Sequence, residues 1–255
     1  MNEIQWRLDG LAFTIALETL GRDRLPYPLR YLAEGVEALD DYERMRMHAA
    51  QHLHGMIGPQ LYEALTTLLE PQVRVEVHGY YGPNFAGAVR MHAGVANHKA
   101  TLALQLPGRT PEYGGDIILI HGIANSLPAR IAASLPKCAP GGHPSIRGRR
   151  SDLQTAEYSR NPLYLSHTEQ LNRIIRRPRS SVGEIAVHPG PATDSRPTDD
   201  GRSVHWMDYL PTDGRYLLHH HRGNEFTLTP AQPEELTRTI HSLIAATQHT
   251  LTSPR

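Results

Sequence analysis

Apolar and polar positions change their spacing several times along the chain, and each change predicts an element. Leu11, Ile15, Leu17 and Leu20 form an apolar, helix-like run. Gly21 suits the left-handed backbone that closes a helix. Pro26 and Pro28 then fix two φ angles around Tyr27 and push Leu25 and Tyr27 into extended geometry. Tyr42, Met45, Ala49, Leu53 and Met56 follow at three- and four-residue steps, which predicts a helix from Leu39 to Ile57. Gly58-Pro59 breaks it. Pro59 suits the first turn of a second helix with Leu61, Ala64, Leu65 and Leu68 on one side, stopped by Pro71.

The period then switches from about 3.6 to 2. Val73, Val75 and Val77 alternate with Arg74, Glu76 and His78; Val89, Met91 and Ala93 with Arg90 and His92; Leu102, Leu104 and Leu106 with Thr101, Ala103 and Gln105. Short turns containing Gly or Asn separate these runs, so an antiparallel sheet with one solvated face is expected. Asp116 to His121 is apolar on both faces and is expected to lie more centrally.

The second half follows a similar plan. Ser126 is placed to cap a short helix through Leu127, Ile131 and Leu135, ended by Pro136. Lys137 to Asn161, rich in Gly, Pro and Arg, reads as an exposed loop. Ser166-His167-Thr168-Glu169 is a capping box opening a helix with Leu171, Ile174 and Ile175. Strands are expected over Val182–His188, Val204–Tyr209, Arg215–His221 and Glu225–Leu228, with a polar loop from Pro189 to Arg202. Thr229-Pro230-Ala231-Gln232 reads as a capping box with proline at the first helical position, before a helix buried through Leu236, Ile240, Leu243 and Ile244. Each half thus runs from helices into antiparallel strands. The expected fold is α+β: one unit over residues 1–255, a central antiparallel sheet flanked by helices, with sub-halves near 1–125 and 126–255.

Composition removes several function classes. The formal net charge is zero, which gives no electrostatic case for nucleic acid or an anionic membrane surface. Cys138 is the lone cysteine, so an intrachain disulfide and a C-x-x-C zinc or redox site are excluded. Met1 to Arg7 lacks the basic and apolar regions of a signal peptide. The longest apolar runs, such as Ile117-Ile118-Leu119-Ile120, are too short to span a bilayer, so a soluble cytoplasmic protein is expected.

Candidate chemistry is sparse. Asp116 to His121-Gly122 has the look of the strand and oxyanion loop of an α/β-hydrolase, but no Gly-x-Ser-x-Gly nucleophile turn accompanies it. His48 and His52 lie four apart with His54 following, yet no glutamate completes His-Glu-x-x-His and no ligand partner is suitably spaced. In a strand, His220 points away from His219 and His221, so the three cannot converge on one ion. Arg147, Arg149, Arg150, Arg173, Arg176, Arg177 and Arg179 form one basic concentration, without interleaved aromatic residues or a nucleic-acid motif. No catalytic, cofactor-binding or metal-binding residue is expected.

With chemistry unpromising, the order of short motifs carries more. A leading strand ending Trp6-Arg7-Leu8, a helix, and then Leu20-Gly21 and Leu25-Pro26-Tyr27-Pro28-Leu29 resemble the EspG family of ESX (type VII) secretion-associated proteins. Leu135-Pro136 with Pro140-Gly141-Gly142 looks like that family's mid-chain junction, and Gly183-Glu184-Ile185-Ala186-Val187 like its glycine-led strand. Trp206-Met207-Asp208 and Asp213-Gly214-Arg215-Tyr216-Leu217 are similar to its strand–turn–strand hallmark, and Thr227 to Ala231 to its closing element. The connection Tyr209-Leu210-Pro211 and the histidine-rich strand Leu218 to His221 depart from the pattern.

The resemblance implies a cytosolic, non-enzymatic chaperone without cofactors, organised about a pseudo-two-fold axis. It also implies a PE/PPE heterodimer as partner, bound at the apolar tip of the PPE subunit, kept soluble and delivered to the secretion machinery. Exposed strand edges would also permit a weak homodimer. Candidate contact residues are Arg90, His92, Asn97 and Gln105, as outward positions of the strands and their turn, with Arg173, Arg176 and Arg177 on the arginine-rich helix. Pro26, Tyr27, Pro28, Gly214 and Tyr216 are assigned to scaffold. The alternatives are an α+β hydrolase using His121, or a nucleic-acid binder using the arginine cluster.

Overall fold

Every alternating segment becomes a strand, and the strands join one antiparallel sheet because each has a complementary apolar face to bury. A computed structural model describes residues 3–153, 166–192, 198 and 200–252. In chain order the elements are β1 (Ile4–Leu8), α1 (Gly10–Glu18), α2 (Leu39–His54), α3 (Pro59–Leu69), β2 (Val73–Tyr81), β3 (Gly87–Ala96), β4 (Lys99–Pro107), β5 (Gly114–Ile123) and α4 (Leu127–Ser134). The second half adds β6 (Ile146–Arg149), α5 (His167–Ile175), β7 (Ser181–Pro189), β8 (Arg202–Asp208), β9 (Arg215–His220), β10 (Glu225–Pro230) and α6 (Pro233–Thr252).

The strand order across the ten-stranded sheet is β1-β5-β4-β3-β2-β7-β8-β9-β10-β6. Strands β2 and β7 form the central seam, paired from Val73↔Pro189 to Tyr81↔Ser181. Outward from that seam, each half lays down its consecutive hairpin strands and ends on the strand that precedes its helices, β1 or β6. The fold is therefore α+β, with the antiparallel sheet expected from the period-2 runs.

Alternation sorts residues between the two faces. Val73, Val75, Met91, Leu102, Ile185, Val204, Trp206 and Leu217 face α4 and α6 and meet Leu127, Ile131, Leu236 and Ile240. On the opposite face Ala103, Ile117 and Leu119 lie under α1, α2 and α3. Farther along it, Tyr216, Leu218, Phe226 and Leu228 pack on Leu171 and Ile174 of α5. Between these two helical covers the middle strands carry Glu76, His78, Glu184 and His188.

Gly183 follows from the packing of Trp206. A Cβ at Gly183 or Gly79 would fall 2.1 or 2.5 Å from the indole ring, so the ring can cross both strands only where they lack side chains. The indole N–H donates to Ser181 Oγ at 2.9 Å, which satisfies the one polar group of a fully buried side chain.

Several local expectations need correction. β5 is not central: it is the neighbour of edge strand β1 and is apolar on both sides because Ile117 and Leu119 pack under α1–α3 while Ile120 on the other face packs against the α4–α6 core. The segment expected as loop from Lys137 to Asn161 contains β6, whose four residues pair with β10; its part from 154 onward lies outside the described residues. The Ser126 hydroxyl donates back to the Ile123 carbonyl (2.8 Å) instead of capping α4. Pro230 ends β10, and the proline at the start of α6 is Pro233. The Ser166 capping box is present, with Ser166 N–H to Glu169 at 2.6 Å and Glu169 N–H to Ser166 Oγ at 3.2 Å. Among the described residues no helix is long and apolar enough to cross a membrane.

Candidate functional site

The stiff segment after α1 is held against the sheet by buried polar side chains. Gly21 has φ +73°, and Arg22 N–H reaches back to the Leu17 carbonyl, closing the helix as a left-handed glycine does. Beyond it, His92 Nδ1 lies 2.7 Å from the Tyr27 carbonyl. Gln105 makes a two-way clamp: Arg30 N–H donates to its Oε1 (2.9 Å), and its Nε2 donates to the Arg30 carbonyl (2.5 Å). Arg90 Nη2 donates to the Pro111 carbonyl of the β4–β5 loop, and its Nε makes no hydrogen bond.

Arg90, His92 and Gln105 are each at most 3% exposed. The expectation that they point outward is therefore corrected. They lie on the face that Leu25 to Tyr31 covers, and alternation alone could not show that a loop returns over it. Burial of His92 pulls its pKa down to about 4, although the Tyr27 carbonyl opposes the shift. Asn97 is exposed at the β3–β4 turn with φ +53°, its N–H bonded to Gln72 Oε1 at 2.9 Å.

The arginines of the second cluster also divide. Arg173 is exposed on α5, while Arg176, just beyond it, is exposed and donates to the Leu153 carbonyl at 2.8 Å. Arg177 is largely buried, paired with Asp213 at 2.8 Å and stacked over Tyr209 at 4.7 Å. The seven expected contact residues thus fall in three separate places.

Arg177 leads to the second fastening point. Asp213 accepts from Gly142 N–H (2.7 Å) and the Tyr216 hydroxyl (2.8 Å). Burial works against its charge, but these bonds and Arg177 hold its pKa down at about 2. Asp208 and Arg215 form a buried two-pronged ion pair at 2.7 Å, and Arg215 Nη2 also donates to the Pro136 carbonyl at 2.6 Å. Short motifs far apart in the chain, at 135–142, 206–208 and 213–217, therefore meet in one structural joint.

Two concave surfaces of contrasting character stand out among those of the described residues. The first, of about 250 Å3, lies among α1, α2 and α3 and is lined by Ala16, Leu20, Leu53, Leu61 and Leu65. Ile57 and Tyr62 also line it and are 59% and 62% exposed. Sequence reasoning missed this groove, though Tyr62 lies off the buried stripe of α3 and Ile57 stands in the link just before it. The other, of about 280 Å3, sits at the β2–β7 seam and is polar; its lining includes Tyr27, Glu76, His78, Glu184, His188 and Ser203.

The hydrolase constellation fails on access. His121 Nδ1 lies 2.8 Å from Thr101 Oγ1 and its Nε2 3.7 Å from Glu63, but Thr101 is fully buried, so no substrate reaches its hydroxyl. His48, His52 and His54 are exposed on α2, and among the described residues no group of ligating side chains could hold a metal.

A family model described as the EspG family matches residues 9–242 of the 255. The chain belongs to the EspG family. This agrees with the motifs that converge on the two fastening points, and it supports a role as an ESX-associated (type VII secretion) chaperone. The EspG family is a chaperone family and not an enzyme family. No curated protein matches this EspG-family chain.

Proposed function

We propose that this chain is a cytoplasmic chaperone that binds a PE/PPE heterodimer through the PPE subunit, covers its apolar tip, and hands it to an ESX secretion system. EspG-family membership over residues 9–242 carries the reading. The apolar groove of α1–α3 supports it, because a partner that shields an exposed apolar surface needs a complementary one. The groove is small, so a specific interface of about 1,600 Å2 would extend beyond it onto polar rim residues. Asn97, Arg173 and Arg176 are exposed and available as such contacts. Arg90, His92, Gln105 and Arg177 would act indirectly, by holding the loops that shape the surface.

The reading includes one domain whose halves are related by a pseudo-two-fold arrangement; the shared strand order on either side of the β2–β7 seam supports this. It includes no nucleic-acid partner and no membrane insertion, and it allows weak self-association through the outer strands β1 and β6. Co-expression with each PE/PPE pair of the same genome, followed by size-exclusion chromatography, tests it. Co-elution with at least one pair is expected; failure with every pair would overturn the proposal.

A further inference from the structure

The sheet ends on two outer strands, and each leaves a row of backbone N–H and C=O groups with no strand beside it. The two edges differ in what they could accept. β6 is unsuited to a copy of itself: it has four residues, and Asp152 Oδ2 already takes the Arg149 N–H at 2.9 Å. An antiparallel pair of β6 strands centred on Arg147, Gly148 or Arg149 would also set arginine against arginine. Like charges directly opposite one another repel.

β1 lacks these blocks. Its five residues pair with β5 in unbroken register from Ile4↔His121 to Leu8↔Ile117, and they include neither proline nor glycine. Among the described residues no loop or side chain bonds to its outer backbone edge. Glu3 continues the strand opposite Gly122, where a Cβ would fall 2.9 Å from Glu3 Cγ. From Glu3 to Arg7 the order is acid, apolar, amide, apolar, base, which is its own complement when reversed. Alternation puts half-buried Ile4 and Trp6 on the face towards α1–α3, and exposed Glu3, Gln5 and Arg7 on the other.

We infer that β1 is a docking edge for β1 of a second copy, antiparallel about a two-fold axis through Gln5. That register places Glu3 opposite Arg7 and Ile4 opposite Trp6, and the two-fold repeats each pair. Centring on Trp6 instead would set Glu3 against Asp9 and lose both ion pairs. The charged groups have capacity to spare. Arg7 spends only its Nε, on Asp116 at 2.7 Å. Glu3 Oε2 accepts one bond, from Arg130, and a carboxylate oxygen can accept two. The axis stands perpendicular to the joined sheet, so both α1–α3 layers lie on the same face. Five residues at about 3.4 Å each make a contact about 17 Å long. Such a contact is smaller than the interfaces of about 1,200–2,000 Å2 that hold stable complexes, so the dimer is weak and concentration-dependent.

Sedimentation equilibrium of the full chain at rising concentration should show a reversible monomer–dimer step. Arg7→Glu and Glu3→Arg each turn both ion pairs into repulsions and should weaken dimerisation about tenfold. Mixed in equal amounts, the two variants should form a heterodimer, because each supplies the charge the other lacks. Unchanged urea midpoints would show that both remain folded. Cross-linking provides a second measurement, in a Cys138→Ser background. Opposed Cα atoms of an antiparallel pair lie about 4.5–5.5 Å apart, within disulfide range, so Gln5→Cys should cross-link under mild oxidation. Arg7→Cys should not, because its two copies stand four residues out of register. Four results would each overturn the inference: a monomer at every concentration, variants that dimerise alone as the parent does, a mixture without heterodimer, or equal cross-linking at both positions. All are read without cargo, so they stand apart from the chaperone proposal.

Discussion

Two irregular segments are fastened to the same sheet by different chemistry. In the first half, Leu25 to Tyr31 is held by neutral groups: His92 on the Tyr27 carbonyl and Gln105 on both backbone groups of Arg30. In the second half, the turn at Asp213 and the junction around Pro136 to Gly142 are held by charge, through Asp213, Arg177 and the Asp208–Arg215 pair. A neutral clamp tolerates burial at little cost but fails when its imidazole must take a proton. In the ionic clamp Asp213 keeps its charge until pH falls towards about 2, yet removal of one partner leaves a buried charge.

The largest effect should come from breaking the ionic clamp on one side. Asp208→Ala leaves the Arg215 guanidinium buried without its carboxylate, at a cost of about 3–5 kcal/mol in urea unfolding. The double change Asp208→Leu with Arg215→Met should lose less than the single one, since no unpaired charge remains. A double mutant worse than the single would show that the pair matters for its shape and not for its charge.

Acid should act first on the neutral clamp. The unfolded chain protonates His92 near pH 6.5, whereas the folded chain resists until about 4. Stability is therefore lost as pH falls through that window, on the order of 3 kcal/mol from this residue. His92→Gln should make the slope shallower there. The contribution of Asp213 has the same sign in a lower window: it is fully present above 3.8 and disappears only as pH falls towards about 2. Urea midpoints measured from pH 7 to 2 would separate the two.

Smaller effects follow at the edges of the comparison. Gln105→Ala leaves the Arg30 N–H and carbonyl without partners and should cost about 1–3 kcal/mol. The paired change Ile57→Ser with Tyr62→Ser should move stability by only about 0.5 kcal/mol, because both side chains are exposed. The same variant should nonetheless abolish co-elution with a PE/PPE pair. Retained co-elution would remove the α1–α3 groove from the interface.

Much of the scaffold was legible in local pattern. Alternation of Val73, Val75 and Val77 marked a strand, the Ser166-to-Glu169 spacing marked a capped helix, and Gly21 marked a left-handed helix end, because each depends on near neighbours along the chain. The candidate surfaces were less so. Arg90, His92 and Gln105 look outward-facing by period, and only the return of Leu25 to Tyr31 over that face buries them. Likewise, nothing near Glu76 in the chain announces Glu184.

By itself, then, the sequence determined the element types, the α+β class and the family, through periodicity, turn residues and ordered motifs. The tertiary structure alone decided which polar side chains became clamps and which were left facing open cavities. Covering a face, pairing β2 with β7 and joining the segments around Pro136, Asp208 and Asp213 are contacts between distant parts of the chain. Local spacing shows that a residue is polar on one side of a strand, and only the packed molecule shows what that side meets.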